Sequence, residues 1–99
     1  IDSIVQVKGI DAVQLGPYDL SASMGKMGQI NDPEVVAAID GICEAVKSAG
    51  LPIGSFSLTP TAAEADIQRG ATLICTGTDA MLLGRAAEAM LAQSRELDR

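Results

Sequence analysis

The sequence predicts an α/β protein built on a parallel sheet. Three observations carry this. Short apolar runs at 12–15, 51–57 and 71–76 each read as a strand, each is followed in turn by a segment with helix signals, and most of the joints are very short. Alternation at that pitch implies parallel strands joined by right-handed crossovers. Three parallel strands cannot close a barrel and leave two bare edges. Missing strands, a second copy of the chain or a rearranged packing is expected to cover them.

The elements follow in chain order. Ile1, Ile4 and Val5 with Gly9 behind them read as the last turns of a helix with a glycine stop. A chain that opens inside a helix is expected to have lost what precedes it. Ala12 to Leu15 is nearly all apolar, as in a strand covered on both faces. Gly16 to Gly25 reads as a loop, and Met24 to Ile30 as further loop with one irregular turn.

Asp32-Pro33-Glu34 opens a helix with an N-cap acid, proline at the first helical position and a second acid in the first turn. Val35, Val36, Ile39, Ile42, Cys43 and Val46 then recur on one face until Gly50. Leu51 to Ser57 is the second strand. Thr61 and Glu64 stand at capping-box spacing for a third helix, striped thinly by Ala63 and Ile67 and stopped by Gly70. Ala71 to Thr76 is the third strand. Gly77-Thr78-Asp79 caps a final helix with an apolar face of Leu83, Ala86, Ala87, Met90, Leu91 and Leu97, suited to a neighbouring subunit as well as to its own sheet.

The totals bound the rest. At 99 residues this is one small domain at most, burying little more than about 60% of its extended surface. With 47% hydrophobic residues but a single Phe and a single Tyr, the core is aliphatic. A net charge of -6 argues against nucleic acid and anionic membrane as partners. No secretory signal or membrane-spanning run is visible. Cys43 and Cys75 are expected as buried free thiols in a reducing, cytoplasmic setting. Without any His, a zinc site lacks its commonest partner.

Chemistry is expected at the strand ends, where α/β proteins bind ligands. The loops there are Gly16 to Ser23, Phe56 to Thr59 and Thr76 to Asp79. Gly16 permits a sharp turn and close approach. The Tyr18 and Asp19 N–H groups offer a concavity for an anion such as a carboxylate. The Asp19 carboxylate beside it is suited to a hard divalent cation, or else to capping a helix. Such a cation would serve as a Lewis acid. Asp79 reads as the N-cap of the final helix. Ser21 and Ser23 have no His to activate them, and Ser55 and Ser57 read as structural. Arg69, Arg85, Arg95 and Arg99 read as solvated, and Asp11 and Asp40 as ordinary surface acids.

Leu15-Gly16-Pro17-Tyr18-Asp19-Leu20-Ser21-Ala22-Ser23-Met24-Gly25 resembles the strand-six signature of the HpcH/HpaI aldolase and citrate lyase family, in the variant of its metal-dependent pyruvate aldolases. Similarity continues through Asn31 to Val35, Ala49 to Gly54 and Gly70 to Asp79. The resemblance implies the C-terminal portion of a (β/α)8 TIM barrel, so that residues 1–99 form a single partial domain; a complete barrel needs about 250 residues.

It also implies a fragment of a class II aldolase that cleaves 4-hydroxy-2-oxo acids, of the 2-keto-3-deoxy sugar acid type, to pyruvate and an aldehyde. Asp19 would be a Mg2+ or Mn2+ ligand. Gly16, Tyr18 and Asp19 would hold the substrate carboxylate. Phe56 falls at a pocket-lining position where the family usually has an aliphatic residue.

The second acidic ligand, a base His and an oxyanion-stabilising Arg belong to earlier strands, so no catalytic residue is expected within this chain and the chain alone is expected to be inactive. Partners implied are the missing N-terminal half or further copies in a homo-oligomer. Two alternatives stand beside this: an acyl-CoA lyase of the citrate or malyl-CoA type, and a non-catalytic α/β association subunit.

Overall fold

The computed structural model describes residues 1–97. Its order is β1 (Val13–Gln14), α1 (Pro17–Ser23), α2 (Pro33–Ser48), β2 (Ile53–Ser57), α3 (Glu64–Gln68), β3 (Ala71–Thr76) and α4 (Asp79–Glu96). The three strands form one parallel sheet in the order β1-β2-β3. The α/β reading therefore holds, and β3 spans the residues expected of it.

Two expectations about local structure need correction. Residues 1–8 are a run of turns, held by bonds such as Val5 N–H to the Ile1 carbonyl at 3.1 Å, and not the end of a helix. The apolar spacing there is too short to specify a helix without tertiary support, and the inference of a chain cut in mid-helix loses its ground. Conversely, 17–23 is a helix rather than loop. Pro17 at its first position is pre-set for helical φ, Asp19 lies in the first turn where the helix dipole favours an anion, and Gly25 leaves it at φ +72°.

The helix α2 begins as expected. The Asp32 carboxylate accepts from the Glu34 N–H at 2.9 Å. It buries Val35, Ile39, Cys43 and Val46 along one stripe, against Leu15, Ile53 and Ala71 of the sheet layer. Burying aliphatic side chains of this size contributes roughly 1.5–3 kcal/mol each. The third helix starts later than the capping-box reading places it, at Glu64. Its approach is steadied by Thr59, whose hydroxyl accepts from the Ala62 N–H, and not by Thr61. Ala63 is buried but Ile67 is exposed. Thr78, not Asp79, is the N-cap of α4: its hydroxyl accepts from the Met81 N–H at 3.1 Å.

No residue of α4 is buried, so the face of Leu83, Ala86, Ala87, Met90, Leu91 and Leu97 does not pack on the sheet in this chain. Cys75 is also exposed, unlike Cys43, because it stands on the face of β3 that no helix covers. The register Gln14–Gly54 and Gly54–Leu73, then Phe56–Cys75, puts these side chains on that open face. Val13, Ile53, Ser55, Ser57 and Ile74 take the helix-covered face. Gly54 is needed where β1 and β2 meet: a β-carbon there would sit 3.3 Å from the Gln14 Cα.

Candidate functional site

Gly16 to Asp19 lies directly after β1, and Phe56 and Cys75 lie near the ends of β2 and β3. Parallel pairing puts all three strand ends on one rim. A cavity of about 670 Å3 opens there, lined by Gln14, Leu15, Gly16, Pro17, Tyr18, Asp19, Phe56 and Cys75. The four residues singled out in the sequence, Gly16, Tyr18, Asp19 and Phe56, thus share one cavity. Gln14 and Cys75 join them. Their alternation along the strands is visible in the sequence, but which face is open is not.

Asp19 is exposed at the first turn of α1. Its Oδ2 lies 3.3 Å from the point that a β-carbon on Gly16 would occupy, so the carboxylate folds back over the glycine. The first helical bond runs from the Leu20 N–H to the Gly16 carbonyl at 2.9 Å. The Tyr18 and Asp19 N–H groups precede it, where a helix has no internal acceptor for them. An exposed carboxylate beside such donors is suited to a chelated anion–cation pair.

Behind the cavity, α1 is anchored by its own buried hydroxyl. Ser21 is fully buried, donates to the Tyr18 carbonyl at 2.7 Å and accepts from the Gly28 N–H at 3.0 Å. Lys26 then reaches both carboxylate oxygens of Asp32 at 2.8 Å. Lys26 holds the Asp32 carboxyl below its ordinary range, and the same bonds raise Lys26. The helix α1, the turn after it and the start of α2 are thereby tied together. Ser23 only donates to the Leu20 carbonyl on the surface.

A hard divalent cation takes six or more oxygen ligands, and among the described residues no three His, Cys, Asp or Glu side chains converge to hold an ion. Asp19 fits as a single contributor to a larger set. Asp79, whose carboxylate accepts from the Ala80 N–H, is not among the residues lining the cavity.

Arg69 departs from expectation. It is not a solvated side chain: its Nε donates to Asp40 at 2.7 Å and its Nη1 to Asp66 at 3.1 Å, which raises its pKa. Asp40 is correspondingly an ion-pair partner rather than a plain surface acid. Arg85 and Arg95 are exposed, and Arg99 lies outside the described residues. Ser57 donates to Asp66, whereas the buried Ser55 hydroxyl has no partner among the described residues.

The family model described as HpcH/HpaI aldolase/citrate lyase matches residues 1–86. The chain belongs to that family. Among its relatives, a hydroxypyruvate/pyruvate aldolase of Cupriavidus necator is 40% identical over 96 residues, covering 97% of this chain and 36% of the relative. A 4-hydroxy-2-oxo-heptane-1,7-dioate aldolase of Salmonella newport is 41% identical over 91 residues, covering 92% of this chain and 35% of the relative.

Solved structures agree. The HpcH/HpaI aldolase of Desulfitobacterium hafniense superposes with a TM-score of 0.86 at 29% identity, covering 96% of this chain and 37% of that one. A family protein of Burkholderia cenocepacia gives a TM-score of 0.87 at 34% identity, over 95% and 37% respectively. The chain therefore spans about a third of the length of the relatives it matches. Its fold is that of β/α units of the family's TIM barrel. No helix among the described residues is long and apolar enough to cross a membrane.

Proposed function

We propose that this chain works as part of an aldolase, a carbon–carbon lyase that splits a 4-hydroxy-2-oxo acid into pyruvate and an aldehyde. The observation that carries the reading is the cavity in which Asp19, the opening N–H groups of α1 and Phe56 meet. The names of the relatives, aldolases of pyruvate and of 4-hydroxy-2-oxo acids, support it.

In the retro-aldol step the C3–C4 bond breaks. Its electron pair passes to C3 of the pyruvyl fragment as an enolate, the C4 hydroxyl gives up its proton as the aldehyde forms, and return of a proton to C3 completes pyruvate. Asp19 is suited to contribute one ligand to Mg2+ or Mn2+, and a cation bound there would supply Lewis-acid polarisation of the oxo acid. The N–H groups of Tyr18 and Asp19 are suited to receive the substrate carboxylate, and Gly16 gives it room. Phe56 offers an apolar wall. The chain contains no His to take the hydroxyl proton, so in this reading the base comes from the remainder of the barrel. That remainder would also cover the open sheet face bearing Gln14, Leu73 and Cys75.

Replacing Asp19→Asn in the full-length lyase tests this. Mn2+ binding should weaken and metal-dependent pyruvate release should be lost while the fold survives. Undiminished metal-dependent pyruvate release by that variant would sink the reading.

A further inference from the structure

Ser57 ends β2 and is 5% exposed, next in sequence to the cavity-lining Phe56. Two bonds in different directions hold it. Its carbonyl accepts from the Gly77 N–H at 2.9 Å, which ties the end of β2 to the turn before α4. Its hydroxyl donates to Asp66 Oδ2 at 3.2 Å. Asp66 Oδ1 in turn accepts from Arg69 Nη1, and Arg69 Nε donates to Asp40 Oδ1. One polar chain therefore runs from α2, through α3, to the end of β2.

The outer pair of this network adds little stability. Its outer member, Asp40, is more than half exposed, and pairs of that kind contribute about 0–1 kcal/mol. Yet α3 has few other anchors: it spans five residues, buries none of them, and has no side-chain cap. Asp66 and Arg69 also line a second cavity of about 280 Å3, which shares Pro17, Tyr18 and Phe56 with the first. Phe56 therefore borders both cavities. Asp66 borders only the second, and its carboxylate is oriented by Arg69 at one oxygen while the other receives Ser57.

We propose that Asp66, steered by Arg69, is a positioning residue that fixes the end of β2 through the Ser57 hydroxyl and thereby sets the Phe56 wall of the cavity. The inference rests on the aldolase reading above. On that reading Asp19 serves the oxo-acid end that every substrate shares, and Phe56, an apolar residue of the same cavity, is suited to meet the rest of the substrate. Loosening the brace should therefore blur selection among substrates without touching the metal.

The experiment uses the full-length lyase carrying Asp66→Ala, Ser57→Ala or Ser57→Thr. Ser57→Ala removes one hydroxyl and leaves the Gly77 bond intact, so it keeps the test alive if Asp66→Ala misfolds. For the two alanine variants, KM for 4-hydroxy-2-oxo acids should rise and the preference between small and bulky C4 substituents should fall by roughly tenfold, the scale on which sub-ångström misplacement acts. Mn2+ affinity should be unchanged, and Ser57→Thr should restore the preference. The proposal is overturned if substrate preference in Ser57→Ala matches the parent, or if Mn2+ affinity falls in step with KM. A failure of the aldolase reading shows separately, as a parent protein with no metal-dependent pyruvate release.

Discussion

The Asp19 carboxylate lies 3.3 Å from where a β-carbon on Gly16 would stand, so the glycine leaves the space that the acid folds into. Gly16 has φ -114°, a conformation open to any residue. Gly16→Ala should therefore fold with near-parental stability yet push the carboxylate aside by a few tenths of an ångström. If Asp19 binds the metal, Mn2+ affinity should fall by on the order of tenfold, the range seen when a ligand's supporting contacts are disturbed. Calorimetric titration beside a urea unfolding curve separates the two effects.

The Lys26–Asp32 pair predicts a pH dependence. Asp32 is held below its ordinary value in the folded protein. It contributes stability above that ordinary value, and the contribution is lost as pH falls through the folded pKa. Lys26 is raised, so its contribution is complete below its ordinary value and is lost as pH climbs through the raised one. Lys26→Met should lower the urea midpoint at neutral pH and make the loss of stability in acid shallower. An acid limb as steep as the parent's would count against the clasp.

The two thiols should differ in reactivity. Cys43 is 2% exposed in the core, and burial pushes its pKa up; Cys75 is exposed on the open face. Since the thiolate is the nucleophile, iodoacetamide at neutral pH should label Cys75 first, through the cavity that it lines, and Cys43 only on unfolding. Peptide mass spectrometry after timed quenching reads the order directly. Equal labelling of the two would contradict the burial pattern.

Signals that act within one turn or one strand were legible in the residues. Asp32-Pro33-Glu34 marks the start of α2 because capping, proline geometry and the dipole all operate locally. Ala71 to Thr76, bounded by Gly70 and Gly77, marks β3 for the same reason. The helix α1 carries start signals in Pro17 and Asp19, but Gly16 supplies no side-chain cap, so Gly-Pro reads equally well as a turn. At 1–8 the apolar spacing has no partner face, and spacing alone does not make a helix.

By itself the sequence determined the order of the three strands and of α2, α3 and α4, the apolar stripe of α2 and the place of Gly16 and Asp19 just past β1, each a matter of neighbours a few residues apart. Only the tertiary structure decided that Phe56 stands beside Cys75, that Arg69 joins Asp40 to Asp66, and that α4 leaves its apolar face uncovered. Those outcomes depend on strand register, including the irregularity between Ile53 and Gly54, and on which faces meet. Such pairings join residues far apart in the chain, and shifting the register by one residue would turn every side chain to the other face.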